Sequence, residues 1–154
     1  EGKLYGAQEN DFLYYKGCLL EAIGKHDEAH SSFTKTASGN GPPTAAMYYN
    51  DQKPDKIYYQ GLALRKVGKE AEARGRFNSL ISYGEKHLYD TIVMDYFAVS
   101  LPDLQIWEDD MNKKNRIHCH YLMGLGHLGL GNKEKADKCF SYIKEINPNF
   151  QIWI

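Results

Sequence analysis

Four residue types recur at one spacing three times along the chain. Gly17, Gly24, Ala29 and Phe33 stand seven, five and four residues apart; the same types return at Gly61, Gly68, Ala73 and Phe77, and again at Gly124, Gly131, Ala136 and Phe140. The copies use six of the 14 glycines, so the spacing is not a by-product of glycine abundance. A repeat of this kind dictates the fold before any single element is assigned.

Each position has a task in a pair of antiparallel helices. Gly17, Gly61 and Gly124 fall mid-helix, where glycine costs about 1 kcal/mol against alanine, so the missing side chain answers a need; close helix approach is the expected one. Gly24, Gly68 and Gly131 end the first helix in the left-handed conformation that glycine reaches without strain. Ala29, Ala73 and Ala136 are small where the second helix crosses the first. Phe33, Phe77 and Phe140, one turn later, are expected to fill the space between neighbours.

On these residues, and on Pro148 closing the third copy, the chain resembles the tetratricopeptide repeat. The resemblance implies an all-α fold: an α-α superhelix, a right-handed solenoid of three helix pairs. The repeats are placed at about 10–42, 54–87 and 117–150 of one domain covering 1–154. The glycine-to-glycine intervals of 44 and 63 residues exceed the family period of about 34, which leaves two insertions, about 38–54 and 87–115. A wider resemblance rests on 58–66 (YYQGLALRK) and 95–104 (DYFAVSLPDL). Those stretches are similar to the C-terminal repeat region of large bacterial multidomain proteins of unknown function, in which the repeats follow sugar-associated β-rich domains. That likeness implies an accessory to carbohydrate-related proteins.

The first insertion carries Gly39, Gly41, Pro42, Pro43 and Pro54 and reads as a loop, with one helical turn expected at Ala45–Tyr49. The second holds Tyr89, Tyr96, Phe97, Leu101, Leu104, Ile106 and Trp107, too apolar to hang free. It is expected to prolong the second helix of the middle pair, then fold back as a short helix begun by Ser100 and Pro102 and pack on the repeats.

Composition narrows the function. Lys+Arg number 19 and Asp+Glu 20, a net charge of -1, so the positive field that drives phosphate neutralisation is missing and nucleic acid is not an expected partner. No apolar run approaches the roughly 20 residues of a membrane span. Cys18, Cys119 and Cys139 form neither a C-x-x-C pair nor an even set, which points to a reducing cytoplasmic setting. The start at Glu1, without methionine or leader, suggests a fragment or processed product of a longer chain.

Several clusters hold residues capable of chemistry. His26-Asp27-Glu28-Ala29-His30 puts two histidines on one helix face, but a zinc-protease helix wants glutamate directly after the first histidine; the plain reading is an exposed first helical turn. His118, Cys119, His120 and His127 share a first helix, where neighbours splay by about 100° and His120 lies about 10 Å from His127, too spread for one ion. Glu108-Asp109-Asp110 reads as a solvated loop or helix N-terminus. The run Gly124 to Gly129 spells G-x-G-x-x-G inside a repeat helix with no strand before it, so it is not a phosphate loop. The sequence therefore assigns no catalytic residue, metal or cofactor, and no enzyme activity.

In tetratricopeptide domains the first helices line a concave groove. Aligning the copies places Tyr14, Tyr58 and Tyr121 at one position facing it, Cys18, Leu62 and Leu125 four residues on, and Glu21, Arg65 and Leu128 three further. Tyrosine offers contact area with a polar tip at low entropic cost; the same rings could equally pack against the adjacent repeat. The residues after the tyrosines, Tyr15, Tyr59 and Leu122, do not form the carboxylate clamp that some members use. The leading expectation is a scaffold that binds a protein partner, or other domains of a parent chain, through the groove. The alternatives are a carbohydrate-binding or glycan-processing accessory, with Trp107 and the tyrosines stacking on sugar, and a structural spacer or self-association unit. The last alternative, a homo-oligomer, is encouraged by the apolar end Phe150-Gln151-Ile152-Trp153-Ile154.

Overall fold

The computed structural model describes residues 9–46, 51–92 and 110–152. Their regular structure is six α-helices with no strand among the described residues: α1 (Asn10–Ala22), α2 (His26–Thr36), α3 (Pro54–Lys66), α4 (Glu70–His87), α5 (Met111–Gly129) and α6 (Lys133–Ile146). They pack as sequential pairs, α1 with α2, α3 with α4 and α5 with α6. The first helices also touch one another, α1 on α3 and α3 on α5, and each new first helix meets the second helix before it, α2 on α3 and α4 on α5. No helix among the described residues is long and apolar enough to cross a membrane.

The turn inside each pair is the same motif three times. Gly24, Gly68 and Gly131 have φ of +79, +78 and +82°. Their N–H groups donate to Glu21, Arg65 and Leu128, while the next N–H groups, of Lys25, Lys69 and Asn132, reach back to Leu20, Leu64 and His127. This double closure satisfies carbonyls the helix end would otherwise orphan. α3 opens on Pro54 at its first turn, where the missing N–H costs nothing.

The crossing alanines are sealed: Ala29, Ala73 and Ala136 are at most 2% exposed. The mid-helix glycines serve a purpose other than backbone approach. A Cβ on Gly17 would lie 2.5 Å from the Phe33 ring, and those on Gly61 and Gly124 would collide in the same way with Phe77 and Phe140. Each phenylalanine thus seats its ring on the glycine of its own pair, and Phe33 and Phe77 also reach the next pair as expected, at Ala63 and at Gly129. Close backbone approach occurs elsewhere, between α4 and α5, where a Cβ on Gly126 would meet the Phe77 carbonyl oxygen at 2.6 Å and one on Gly84 the Cys119 carbonyl oxygen at 2.6 Å. The G-x-G-x-x-G run is therefore a packing device: Gly124 accommodates Phe140, and Gly126 and Gly129 accommodate Phe77.

The connections depart from expectation in three places. Residues 38–46 form a loop held by side chains: buried Asn10 donates to the carbonyls of Thr36 (2.7 Å) and Ser38 (3.2 Å), and fully buried Gln60 to those of Ser38 (3.0 Å) and Asn40 (3.1 Å). Ala46 has φ +50°, so it begins no right-handed turn; 47–50 lie outside the described residues. α5 starts at Met111, not near 117, because Asp110 caps it by accepting from the Lys113 N–H at 3.0 Å. Tyr89, counted among the residues too apolar for solvent, is 87% exposed. The rest of that insertion's apolar set and the turn begun by Ser100 and Pro102 fall outside the described residues.

Candidate functional site

The row of first helices brings the aligned tyrosines into one line, and every one of them packs on a phenylalanine of its own pair. Tyr14 lies 5.7 Å from Phe33, Tyr58 5.9 Å from Phe77 and Tyr121 6.4 Å from Phe140, ring centre to ring centre. Tyr58 and Tyr121 are buried at 8% and 7% exposure, and Tyr14 is half-buried. Burial pushes the Tyr58 hydroxyl up from its ordinary pKa and, with Cys18 beside it, pushes Tyr14 up to about 12. Of the two roles open to these rings, burial favours packing for Tyr58 and Tyr121.

The remaining positions of the row divide likewise. Leu125 is fully buried, while Cys18 and Leu62 are half-buried. Glu21 is exposed but pairs with Lys66 of α3 at 2.5 Å. Arg65 is a structural bridge: Nε donates to Glu70 at 3.0 Å, Nη1 donates to the Gly129 carbonyl at the end of α5, and the guanidinium lies 4.9 Å over Phe77. A cation at the carbonyl end of a helix is well placed by the helix dipole.

Two other segments meet the α5 end of this row. Phe150 sets its ring 5.5 Å from Tyr121, and both Phe150 and Ile152 pack on the main core. The apolar C-terminal stretch is thus partly covered by its own chain; Trp153 and Ile154 lie outside the described residues. The first insertion arrives as well, the Thr44 carbonyl accepting from His118 Nε2 at 2.8 Å. Between them remains a cleft of about 410 Å³, whose walls include Asp55, Ile117, His118, Tyr121 and Phe150.

The other candidates do not converge. His118 is engaged with Thr44, and His120 stacks on Tyr142 with centroids 4.0 Å apart. Cys119 is buried and reaches Asn115. Burial lowers the pKa of His118, His120 and His127, and raises Cys119 to about 11 and Cys139 above its usual value, so these thiols are held protonated and weakly nucleophilic. His26 and His30 are exposed on α2. Among the described residues no group of three or more His, Cys, Asp or Glu side chains is placed to hold a metal. No family model and no solved structure matches the chain.

What sequence reasoning missed is the convergence of Thr44, His118 and Phe150 on the end of the row. Nothing local in 38–46 or 147–152 announces a contact so distant along the chain. The apolar character of Phe150 was the one signal present.

Proposed function

We propose that the domain is a three-pair array of the tetratricopeptide type and acts as a scaffold, binding a protein segment along its inner row of first helices. The observation that carries this is asymmetric spacing: first helices lie close against first helices, whereas the backbones of α2, α4 and α6 stand farther apart from one another. Helix pairs joined along one edge and splayed along the other curve toward the joined edge, which makes the first-helix side concave. The binding surface is the part of that side left accessible: Tyr14, Cys18, Glu21, Leu62 and Arg65, continuing into the cleft at Asp55 and His118. Tyr58, Tyr121 and Leu125 form its floor. The reading assigns the chain no chemistry of its own and no cofactor. Its partner is a segment of another protein or of a parent chain, in a cytoplasmic setting that suits the free thiols of Cys18, Cys119 and Cys139. A glycan-binding role draws less support, because sugar stacking needs open ring faces and Tyr58 and Tyr121 have none.

A test selects peptides from a random displayed library on the purified domain and measures their affinity for variants. Leu62→Lys, at a half-buried wall position, should weaken selected peptides at least tenfold under conditions where circular dichroism shows the variant folded, while Lys138→Glu on α6 should not. Peptides that bind Leu62→Lys as tightly as the parent place the binding surface elsewhere.

A further inference from the structure

One face of α1 is apolar and open. Phe12 is 75% exposed, Tyr15 51%, Leu19 69% and the following Ile23 69%, and Ala22 between the last two is exposed as well. The repeat alignment identifies this face. Its counterparts are Lys56, Tyr59, Ala63 and Val67 on α3, and Cys119, Leu122, Gly126 and Leu130 on α5. On α3 that face lies under α2, with Ala63 and Val67 packed on Ala29 and Phe33. On α5 it lies under α4, with Gly126 against Phe77 and Ile81. On α1 no helix covers Phe12, Leu19 and Ile23 among the described residues, while Tyr15, at the edge of the face, keeps half its surface open with its hydroxyl 2.9 Å from that of Tyr59 on α3.

The α1 face is built differently from its two counterparts. Where α3 has Ala63 and α5 has Gly126, α1 has Leu19. A Cβ at Gly126 would already meet a backbone oxygen at 2.6 Å, so a leucine there is incompatible with the close spacing used inside the chain. Phe12, Tyr15, Leu19 and Ala22 instead follow the three-four-three spacing of a two-helix seam, in which large side chains interdigitate between helices about 10 Å apart.

At the opposite end of the stack the outer face of α6 is polar among the described residues. α6 carries Lys144 where α2 has Ala37 and α4 has Ile81, and Asp137, Ser141 and Glu145 are exposed beside it. Such a face does not receive the α1 of another molecule, so head-to-tail stacking is disfavoured and the apolar end is left to pair with its own kind. A two-fold arrangement of one self-complementary patch is the commonest closed symmetry.

We propose that α1 is the seam of an isologous dimer, in which Phe12, Tyr15, Leu19 and Ile23 of one copy interleave with the same residues of a second copy. The four side chains offer on the order of 500 Å² per copy; with Lys16, Ala22 and the helix ends the contact approaches the roughly 800 Å² per partner of a stable interface. A small seam of this size fits a micromolar equilibrium between monomer and dimer.

Sedimentation velocity of the chain from about 1 µM to about 1 mM, a range that brackets micromolar affinity, tests this. The parent should pass from monomer to dimer. Leu19→Asp and, separately, Phe12→Asp should stay monomeric throughout, with unchanged helical circular dichroism because both positions are exposed, and Lys138→Glu on α6 should dimerise as the parent does. A parent that stays monomeric, a dimer that survives both substitutions, or a chain whose α1 face is covered only by a helix of a different polypeptide overturns the proposal.

Discussion

The ring of Phe77 occupies the space that a side chain on Gly61 would need. The same ring is fully buried and also blocks Gly129 on α5, so Phe77 is held between two glycines of different helix pairs and has nowhere to move. Gly61→Ala should therefore be destabilising by about 2 kcal/mol, an overpacking cost only partly offset by the roughly 1 kcal/mol gain in helix propensity. Gly124→Ala meets Phe140, which is half-buried and can yield, so it should be close to neutral. Urea unfolding of the two variants measures the contrast; equal costs would mean that the third ring is as confined as the second.

Gln60 fixes the first insertion from inside the core. Its amide nitrogen donates to two loop carbonyls, Ser38 and Asn40, in a site with no exposure. Gln60→Leu is similar in size but leaves both carbonyls without that donor, and should lower stability by about 1 to 3 kcal/mol. Amide hydrogen exchange should show faster exchange in the loop before the helices are affected. A loop that keeps its protection in the leucine variant would mean that Asn10 anchors it alone.

Tyr58 separates packing from recognition. At 8% exposure against Phe77 and Tyr59, Tyr58→Ala should cost about 3 kcal/mol of stability through lost burial and a residual cavity. Thermal melting reads this directly. A variant that melts like the parent would return Tyr58 to the list of surface contacts.

The helix pairs were legible because their determinants are local. A left-handed glycine, a small crossing residue and a ring four residues later lie within ten residues of one another in each copy, close enough for local spacing to reveal them. The partner of each glycine was not legible, since helical spacing places Phe33, Phe77 and Phe140 at the crossing without saying whether they turn toward their own pair or the next. Gly84 and Gly126 stand outside the repeated positions, so the tightest contact, α4 on α5, carried no periodic signal. The early start of α5 does carry one in Asp110, an N-cap residue type, but the interval between repeats places 111–115 in the insertion. For the row of first helices, alignment puts the eight candidate positions at equivalent places in each copy, while the packing of Tyr121 on Phe150, 29 residues later, and of His118 on the distant Thr44 carbonyl carries no local signal.

His118 makes stability depend on pH in a defined direction. Its Nε2 faces a carbonyl, which can only accept, so the neutral ring must carry its proton on Nε2 to hold Thr44 at 2.8 Å. Burial lowers its pKa first; Thr44 opposes that, Lys53 adds to the lowering and Asp51 works against it. His120 and His127 are lowered mainly by burial as well. With folded-state values below the ordinary 6.5 or so, the unfolded chain binds protons that the folded chain does not as pH falls through that value, and stability declines. The loss should begin near pH 6.5 and grow toward pH 5, above the range in which ordinary carboxylates protonate. His118→Gln keeps an amide donor for the Thr44 carbonyl and removes the titrating ring, so it should flatten part of this slope while preserving the loop. Melting temperatures of the parent and His118→Gln across that interval measure the effect, and a parent whose melting temperature is the same at pH 5 and pH 7 would mean that these rings accept protons in the folded state as readily as in the unfolded one.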